Sequence, residues 1–408
     1  MNKKAIVILG AIFLLIVGTL GFLVYSRYSS NEEQNPPPAN SEPIPEDPNA
    51  NGGNTNPPTT TPEQAEKLVR LTLSEQVISP ILFYNGNGVT YLNQSGQLIK
   101  ADFEALANGQ IQLTRTRDLG IASKSNITKI LWPKNGDDFI AEISASTGSG
   151  FSSGRGFSYF NFATGAYIDL PEQVKALEWM PSGDKILFIW VDKDAEGNEK
   201  ATLNMADPDT KNYQQIAELY EADDVLHLSP DGMNLVFHRT QNTESVNKII
   251  QTTPQGTIWK DLVKEGFNYG ILWSPDSQKF LFSKRERTGR NYQLWFYDLY
   301  SGEVKNLGLY GIPTKSVWSS DSKTIYFATP ESSSEIIDPA NLESPNSVFT
   351  MDTFYKMDTT TMEKTEIQLP ENPGLDGRDL FLNPAEDKLF FKNAQDGGLY
   401  YLDLTNKE

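Results

Sequence analysis

Two histidines, His227 and His238, are the only imidazoles in the 408-residue chain and are therefore the first candidates for acid–base chemistry. Ser229 lies two residues after His227, which invites comparison with a serine hydrolase triad. However, His227 and Ser229 fall in one predicted strand, where no strand-to-helix turn would expose a nucleophilic serine. We therefore expect both histidines to occupy structural positions, and the chain to lack a recognisable catalytic set.

A second candidate for chemistry is the acidic segment that contains Asp192, Asp194 and Glu196, followed by Gly197. Oxygen ligands at positions one, three and five, with glycine at six, are typical of a calcium-binding loop. Position twelve is Leu203, where that loop needs a bidentate carboxylate. A solvated hairpin is the preferred interpretation and a weak metal site the alternative, so we expect no metal and no cofactor.

The glycine-rich stretch at residues 146–156 resembles a phosphate-binding loop only superficially. It has no Gly-Lys-Ser/Thr ending and no helix after it, both of which phosphate binding of that kind requires. A flexible hairpin is expected, whose glycines with Phe151 and Phe157 would form a mobile contact loop on one face.

The elements that must position these residues are indicated by a repeated motif. Residues 273–282 read Trp-Ser-Pro-Asp-Ser-Gln-Lys-Phe-Leu-Phe, and degraded copies recur through most of the last three hundred residues. The apolar residue before each turn, which we call the anchor, is Trp132, Trp179, Leu228, Trp273, Trp318 and Leu382, with Phe83 in a weaker first copy. The anchors are 45 to 49 residues apart, except that the last interval is 64. A period of about 40 to 50 residues is typical of one propeller blade.

Each copy contains the signals for four antiparallel strands. A Pro-Asp-Gly turn or a relative is followed by a β-rich run, a second such run and a Ser-Gly or Thr-Gly hairpin before the last strand. The wide last interval contains a polar stretch, residues 330–347, which we interpret as a loop inserted within a blade. The last copy ends on its third strand, and residues 67–73 would supply the fourth and close the ring. The sequence predicts an all-β propeller of seven four-stranded blades, with six and eight as alternatives.

The motif resembles the WD40-like (PD40) repeat of TolB-like propellers over about residues 80–404, most strongly at residues 273–307. The resemblance implies a propeller whose conserved motif residues serve turns and packing. The α/β domain that precedes the propeller in TolB has no counterpart in this sequence.

The N-terminus has a different character. Residues 6–25 carry no charge and are long enough to cross a bilayer as a helix, with Lys3 and Lys4 before them and Arg27 after them. A cleaved signal peptide is the alternative, but its apolar region is shorter and ends in small residues. Three regions are therefore expected: a transmembrane anchor at 1–28, a Pro/Asn-rich disordered linker at 29–62, and the propeller at 63–408. The propeller would be periplasmic or at the cell surface, with the N-terminus in the cytoplasm.

The net charge of −18 argues against nucleic acid as a partner. A protein or peptide of a bacterial envelope fits better. The absence of cysteine excludes disulfides and a lipoprotein anchor.

Geometry predicts where a ligand would bind. The first strand of each blade lines the axis, so residues about four positions before the anchors should form a ring at one mouth of the channel. The predicted ring consists of Thr128, Lys129, Lys175, Asp223, Asp224, Tyr269, Thr314, Lys315, Arg378 and Asp379. A water-filled channel with salt bridges and no ligand is the alternative. The tryptophans at 132, 179, 273 and 318 share one register and should pack between blades, whereas Trp190, Trp259 and Trp295 are free for recognition.

These observations favour a membrane-anchored extracytoplasmic scaffold that binds a protein or ligand without catalysis. An envelope enzyme acting on carbohydrate or peptide, with carboxylates in the channel, is the alternative. It requires two or more carboxylates, or a metal site, converging in one channel mouth. A purely structural spacer is the third interpretation, and it predicts no concave aromatic or apolar patch.

Overall fold

The strands of the propeller follow from alternating β-branched and aromatic residues between Gly- and Asp-containing turns. The computed structural model describes residues 68–72, 75–83, 86–118, 124–144, 155–219, 225–238, 248–257, 259–264, 267–285, 292–330, 349–369 and 374–405, without the side chains of 115–118, 238 and 267–269. The predicted transmembrane segment at 1–28 and the predicted linker at 29–62 lie outside these residues. No helix among the described residues is long and apolar enough to span a membrane.

Seven four-stranded antiparallel sheets form the seven blades, as the repeat predicts. Blades one to three are β2 (Val77–Leu82), β3 (Gly88–Asn93), β4 (Leu98–Ala105), β5 (Ile111–Asp118); β6 (Ile127–Leu131), β7 (Phe139–Ser144), β8 (Arg155–Asn161), β9 (Ala166–Asp169); and β10 (Val174–Trp179), β11 (Ile186–Lys193), β12 (Glu199–Ala206), β13 (Gln214–Leu219). Blades four and five are β14 (Val225–Leu228), β15 (Leu235–His238), β16 (Ile249–Thr252), β17 (Lys260–Val263); and β18 (Phe267–Trp273), β19 (Lys279–Arg285), β20 (Gln293–Asp298), β21 (Val304–Tyr310).

Blade six follows a short 3-10 turn, Pro313–Lys315, and consists of β22 (Ser316–Trp318), β23 (Thr324–Pro330), β24 (Asp352–Asp358) and β25 (Lys364–Glu366). The predicted insertion falls between β23 and β24, and residues 331–348 lie outside the described part of the chain. Blade seven is β26 (Gly377–Leu382), β27 (Lys388–Asn393), β28 (Leu399–Asp403) and β1 (Leu68–Arg70).

Closure of the ring is confirmed in blade seven. The strand β1 pairs with β28 in the register Leu68 to Leu402 and Arg70 to Tyr400. The stacked rings of Phe103 in blade one and Phe390 in blade seven, with centroids 5.2 Å apart, join the last blade to the first. A closed ring leaves no unpaired blade face, which an open array would expose.

The core lies between successive blades, and the first strands of neighbouring blades contact each other around the axis. Phe157 of blade two packs with Phe188 of blade three in one buried cluster. Phe354 of blade six and Phe391 of blade seven meet with ring centroids 4.8 Å apart. Each blade therefore completes its hydrophobic core with side chains of its neighbour, as repeat architectures require.

The four in-register tryptophans pack between blades, as predicted. Each indole N–H donates to a backbone carbonyl on the first strand of the preceding blade. The pairs are Trp132 to Ser79 at 2.9 Å, Trp179 to Leu131 at 2.9 Å, Trp273 to His227 at 3.3 Å and Trp318 to Leu272 at 3.3 Å. The indole therefore supplies apolar area and satisfies its one polar group at the blade interface.

The Pro-Asp turns are linked in a similar way. The backbone N–H of Asp231 donates to Ser277 Oγ in the next blade, and that of Asp276 donates to Ser322 Oγ, each at 3.0 Å. Both serines have a φ of +60°, at the turn position that glycine occupies in other copies.

One anchor was assigned wrongly from the sequence. The backbone N–H of Phe83 donates to the Gly88 carbonyl at 2.9 Å, which corresponds to the Ser274 to Lys279 bond at 2.8 Å in blade five. Since Ser274 follows the anchor Trp273, the anchor of blade one is Leu82. The error arose because Phe83 is the larger apolar residue.

Candidate binding site

The described members of the predicted ring lie in different settings. Thr128 and Lys129 are exposed on β6, and Lys175 is half-buried on β10, where its backbone carbonyl accepts from Arg155 at 3.0 Å. Thr314 is exposed in the 3-10 turn and Asp379 on β26, where it has a φ of +52°.

Other members of the ring lie beyond what the structure describes. Asp223 and Asp224 fall outside the described residues, and Tyr269 is described only in its backbone, within β18. Two residues of the predicted ring, Lys315 and Arg378, lie close together because both form ion pairs with Asp376. The sequence analysis did not single out Asp376.

This carboxylate belongs to a buried group that we call the Lys315 cluster: Lys315, Thr350, Asp352, Asp376 and Arg378. Lys315 Nζ lies 2.6 Å from Asp352 Oδ2, 2.8 Å from Asp376 Oδ1 and 2.6 Å from Thr350 Oγ1. Arg378 Nη2 lies 2.7 Å from Asp376 Oδ2. The Gly377 backbone N–H also donates to Asp352 Oδ2 at 2.8 Å. Two cations therefore balance two carboxylates in a site whose lysine is 1% exposed.

The pKa values of the two carboxylates shift in opposite directions. Burial raises the pKa of Asp352 above its ordinary value, against the attraction of Lys315. Burial also acts to raise the pKa of Asp376, but the Arg378 hydrogen bond and the charges of Lys315 and Arg378 outweigh it, so this pKa is lowered. A buried ion pair of this kind holds a conformation, because removing one partner leaves an uncompensated charge. The converging carboxylates are thus committed to the joint between blades six and seven.

Glu178 is a titratable side chain on the first strand of blade three, and the sequence analysis did not single it out. It is half-buried on β10, directly before the anchor Trp179. Desolvation raises its pKa to about 7, although the positive charge of Lys129 on the neighbouring first strand opposes the shift. The pKa therefore lies close to neutrality, in the range in which acid–base groups work.

An open cavity of about 370 Å³ lies on the outer part of blade three, on the sheet face that packs towards blade two. We call it the blade-three groove, and its lining includes Phe188, Trp190, Thr202, Asn204, Tyr213 and Gln215. The register explains the assembly, because cross-strand partners share a face. Phe188 pairs with Asn204, Asn204 pairs with Gln215, and Trp190 pairs with Thr202. Asp192 and its partner Lys200 complete one end.

Tyr213 stands at the rim on a firmly held loop. Its side chain is 70% exposed. The loop closes through the bond from Asp207 N–H to the Lys211 carbonyl at 3.0 Å and from Asn212 Nδ2 to Asp207 Oδ2 at 2.6 Å. Thr210 and Asn212 have positive φ values of 63° and 52°. An exposed aromatic ring is therefore presented by a loop that its own hydrogen bonds close.

The polar groups of the groove retain bonding capacity. Asn204 is buried, and its Nδ2 donates to the Thr202 carbonyl at 3.1 Å and to Thr202 Oγ1 at 2.9 Å. Within the described part of the chain, nothing donates to Asn204 Oδ1, and nothing accepts from the Trp190 indole N–H. The groove thus combines flat aromatic surface with neutral donors and acceptors, which are the features of a small-molecule site.

The acidic segment beside the groove is a hairpin, as preferred. Asp194 Oδ1 accepts from the backbone N–H groups of Glu196 at 3.0 Å and Asn198 at 2.8 Å. The side-chain bond from Asn198, followed by these backbone bonds, lowers the pKa of Asp194. No group of three His, Cys, Asp or Glu side chains among the described residues is placed to hold a metal. Asp192 points instead into the groove lining, and Glu196 lies in the exposed turn.

The remaining out-of-register tryptophans lie in other settings. Trp259 is 46% exposed and stacks on Phe237 with centroids 5.9 Å apart. Trp295 lies beneath Lys284, whose Nζ is 5.2 Å from the ring centroid. Trp190 is the one that lines the blade-three groove. Sequence reasoning missed the rest of the groove, although Phe188, Trp190 and Asp192 alternate along one strand as a shared face requires.

No protein-family model matches the chain, and no curated protein matches it. Solved β-propeller structures are similar to it. An oligogalacturonate lyase from Vibrio parahaemolyticus gives a TM-score of 0.55 at 10% identity, covering 83% of this chain and 94% of that one. An oligogalacturonate lyase in complex with manganese gives 0.51 at 12% identity, covering 84% and 99%. The β-propeller domain of Cps50 (Swd1) from Myceliophteria thermophila gives 0.51 at 9%, covering 83% and 100%.

Identities this low show the fold alone. The propeller expected from the TolB-like motif is confirmed, and membership of the PD40 family stays a prediction. The protein is a seven-bladed β-propeller, and propellers serve many functions.

Proposed function

We propose that the protein is a non-catalytic ligand-binding propeller of the cell envelope, with the blade-three groove as its binding site. The observation that carries the proposal is the contrast between polar groups. The converging carboxylates Asp352 and Asp376 are buried against Lys315 and Arg378, whereas the groove leaves Asn204 Oδ1 and the Trp190 N–H open beside an exposed Tyr213. Bonding capacity left open in a concave aromatic site is available to a ligand.

The anchoring part of the proposal rests on the sequence. Residues 6–25 carry no charge, and the flanking lysines precede them. A helix of that length spans a bilayer, and the positive charges favour a cytoplasmic N-terminus. The propeller would then face a periplasm or the cell exterior.

The alternative is an envelope enzyme, and one observation favours it. Glu178 has a pKa of about 7 and lies near the positive charge of Lys129 on the inner strands. A carboxyl group that titrates near neutrality can accept and return a proton. Two of the similar structures are oligogalacturonate lyases, so a carbohydrate is the substrate class that we would test first for this alternative.

The two functions are separated by following bound material over time. The full chain in detergent is immobilised and incubated with solubilised carbohydrate and peptide fragments of the envelope, and retained and released material is analysed by mass spectrometry. We expect saturable retention with unchanged masses, lost in Tyr213→Ala and kept in Tyr300→Ala, whose ring is 94% exposed on blade five. Products that accumulate with time, and cease in Glu178→Gln, would establish the enzyme instead.

The location is tested by single-cysteine labelling, because the chain has no native cysteine. Tyr300→Cys places a thiol on the propeller surface, and Asn2→Cys places one before the apolar segment. A membrane-impermeant maleimide added to intact cells should label the first variant and spare the second until the cells are lysed. Protection of Tyr300→Cys in intact cells would overturn the extracytoplasmic location.

A further inference from the structure

We propose that the blade-three groove recognises an uncharged sugar ring, packed against Trp190 and Tyr213. This inference rests on the proposed function and adds the chemical class of the ligand. The cavity of about 370 Å³ falls in the range of small-ligand sites.

The aromatic surface is the first support. Trp190 packs edge-on against the buried Phe188, with centroids 6.5 Å apart, so its orientation is fixed from below. Tyr213 lines the same groove from the hydrogen-bonded loop between β12 and β13. Flat, rigid rings lose little conformational freedom on binding and match the C–H faces of a sugar.

The hydrogen-bonding groups are the second support. Thr202 presents a hydroxyl and Gln215 an amide, while Asn204 offers an acceptor and Trp190 a donor. A sugar hydroxyl both donates and accepts, so neighbouring hydroxyls can meet this mixture of neutral side chains. A peptide needs partners for a regular series of backbone N–H and C=O groups, which a sheet edge supplies and this sheet face does not.

Charge decides against an acidic sugar. Lys200 is the lining cation, and its Nζ lies 2.7 Å from Glu218 Oε1. Asp192 lines the same end of the groove. The net charge of the whole chain is −18. A ligand carboxylate would meet a neutralised lysine, a facing aspartate and a repulsive field.

The test is calorimetric titration of the full chain in detergent with cellotetraose, chitotetraose, tetragalacturonate and a neutral Ser/Asn/Gly octapeptide. A neutral tetrasaccharide should bind with a Kd of about 1 mM or tighter. Tyr213→Ala should weaken that binding about tenfold, since it removes a stacked ring. Tyr213→Phe keeps the ring and should retain the affinity within about threefold, and the exposed Tyr300→Ala should leave it unchanged.

The outcomes are distinguishable from those of the proposed function. Preference for tetragalacturonate or for the peptide, or sugar binding that Tyr213→Ala leaves intact, would overturn the carbohydrate assignment. If neither sugar binds while envelope material is still retained in a Tyr213-dependent manner, the binding function stands and this inference fails. If Tyr213→Ala changes neither assay and the melting curve is native, both fail.

Discussion

The Lys315 cluster and the blade-three groove are both built from polar side chains on the strands of one ring, but they use their bonds differently. In the cluster, every charge faces an opposite charge within 2.8 Å, and the lysine is 1% exposed. In the groove, Tyr213 is 70% exposed and the charged pair Lys200–Glu218 lies at the edge in solvent. Polar groups whose bonds are satisfied within the protein stabilise the fold, and those left open can recognise a ligand.

The largest expected effect comes from making the same substitution in both regions. Lys315→Met leaves two buried carboxylates with only Arg378, and should lower the free energy of unfolding by about 3–5 kcal/mol. Lys200→Met breaks an exposed pair and should cost less than about 1 kcal/mol. Urea titration of both variants measures the difference.

Equal losses for the two lysine variants would break the comparison. A second substitution sharpens it, because Asp352→Asn keeps an acceptor for the Gly377 N–H while removing one charge. Added to Lys315→Met, it should recover about 1 kcal/mol or more. No recovery would mean that the loss came from packing of the lysine stem.

Glu178 lies between the two extremes, as a partly buried carboxyl with one opposing charge. Its folded pKa of about 7 exceeds the ordinary value of 4.5, so the folded state binds more protons between these pH values. Stability from this group is therefore present below about pH 4.5 and is lost as the pH rises through 7. Glu178→Gln should be about 2 kcal/mol more stable than the wild type at pH 8 and little different at pH 5.

Melting curves at pH 5 and pH 8 check the Glu178 prediction. Glu218→Gln is the control, because its carboxylate is exposed on the sheet edge and paired with Lys200. A stability difference for Glu178→Gln that is the same at both pH values would show that the carboxyl is not desolvated in the folded protein.

Ser322 shows how much one satisfied neutral hydrogen bond contributes to the stability of the fold. Its buried hydroxyl accepts from the Asp276 N–H at 3.0 Å across a blade interface. Ser322→Ala should cost about 1 kcal/mol of unfolding free energy. Ser95→Ala, at an exposed turn, should stay within about 0.5 kcal/mol. Equal unfolding free energies for the two variants in urea titration would show that the hydrogen bond between Asp276 and Ser322 does not stabilise the fold.

The smallest expected effect is on the stability of the groove. Tyr213→Ala should change the free energy of unfolding by less than about 0.5 kcal/mol, since the ring is mostly in solvent. The same variant should lose ligand binding. Substitutions in the Lys315 cluster should therefore have the larger effect on stability, and substitutions in the groove the larger effect on binding. A loss of stability above about 2 kcal/mol would make Tyr213 a structural residue.

The fold was predictable because its signals are local. A turn, its anchor and the strands around it lie within one period, and seven such periods predict seven blades. Closure by residues 67–73 followed because the last copy lacked a strand. The register of blade one was misjudged by one residue, since Leu82 and Phe83 are both apolar and only the backbone bond pattern distinguishes them.

The site was less predictable, because its partners come from distant positions. Lys315 was chosen for its place before an anchor, but Asp352 lies beyond an insertion and Asp376 belongs to the next blade. The burial that turns these charges into a structural joint depends on how blades six and seven pack. In the groove, Trp190 was indicated by its register. Tyr213 carried no such signal, because its role depends on the conformation of the loop that connects β12 and β13.

The closing strand also sets an order in time. Blades one to six pair only strands that are neighbours in the chain, so each can form as soon as it is synthesised. Blade seven joins Leu68 to Leu402, the first described strand to the last. Until residues 399–403 have left the ribosome, the ring is an open arc with two unsatisfied ends. The assembling chain is therefore most prone to aggregation just before β28 emerges and pairs with β1.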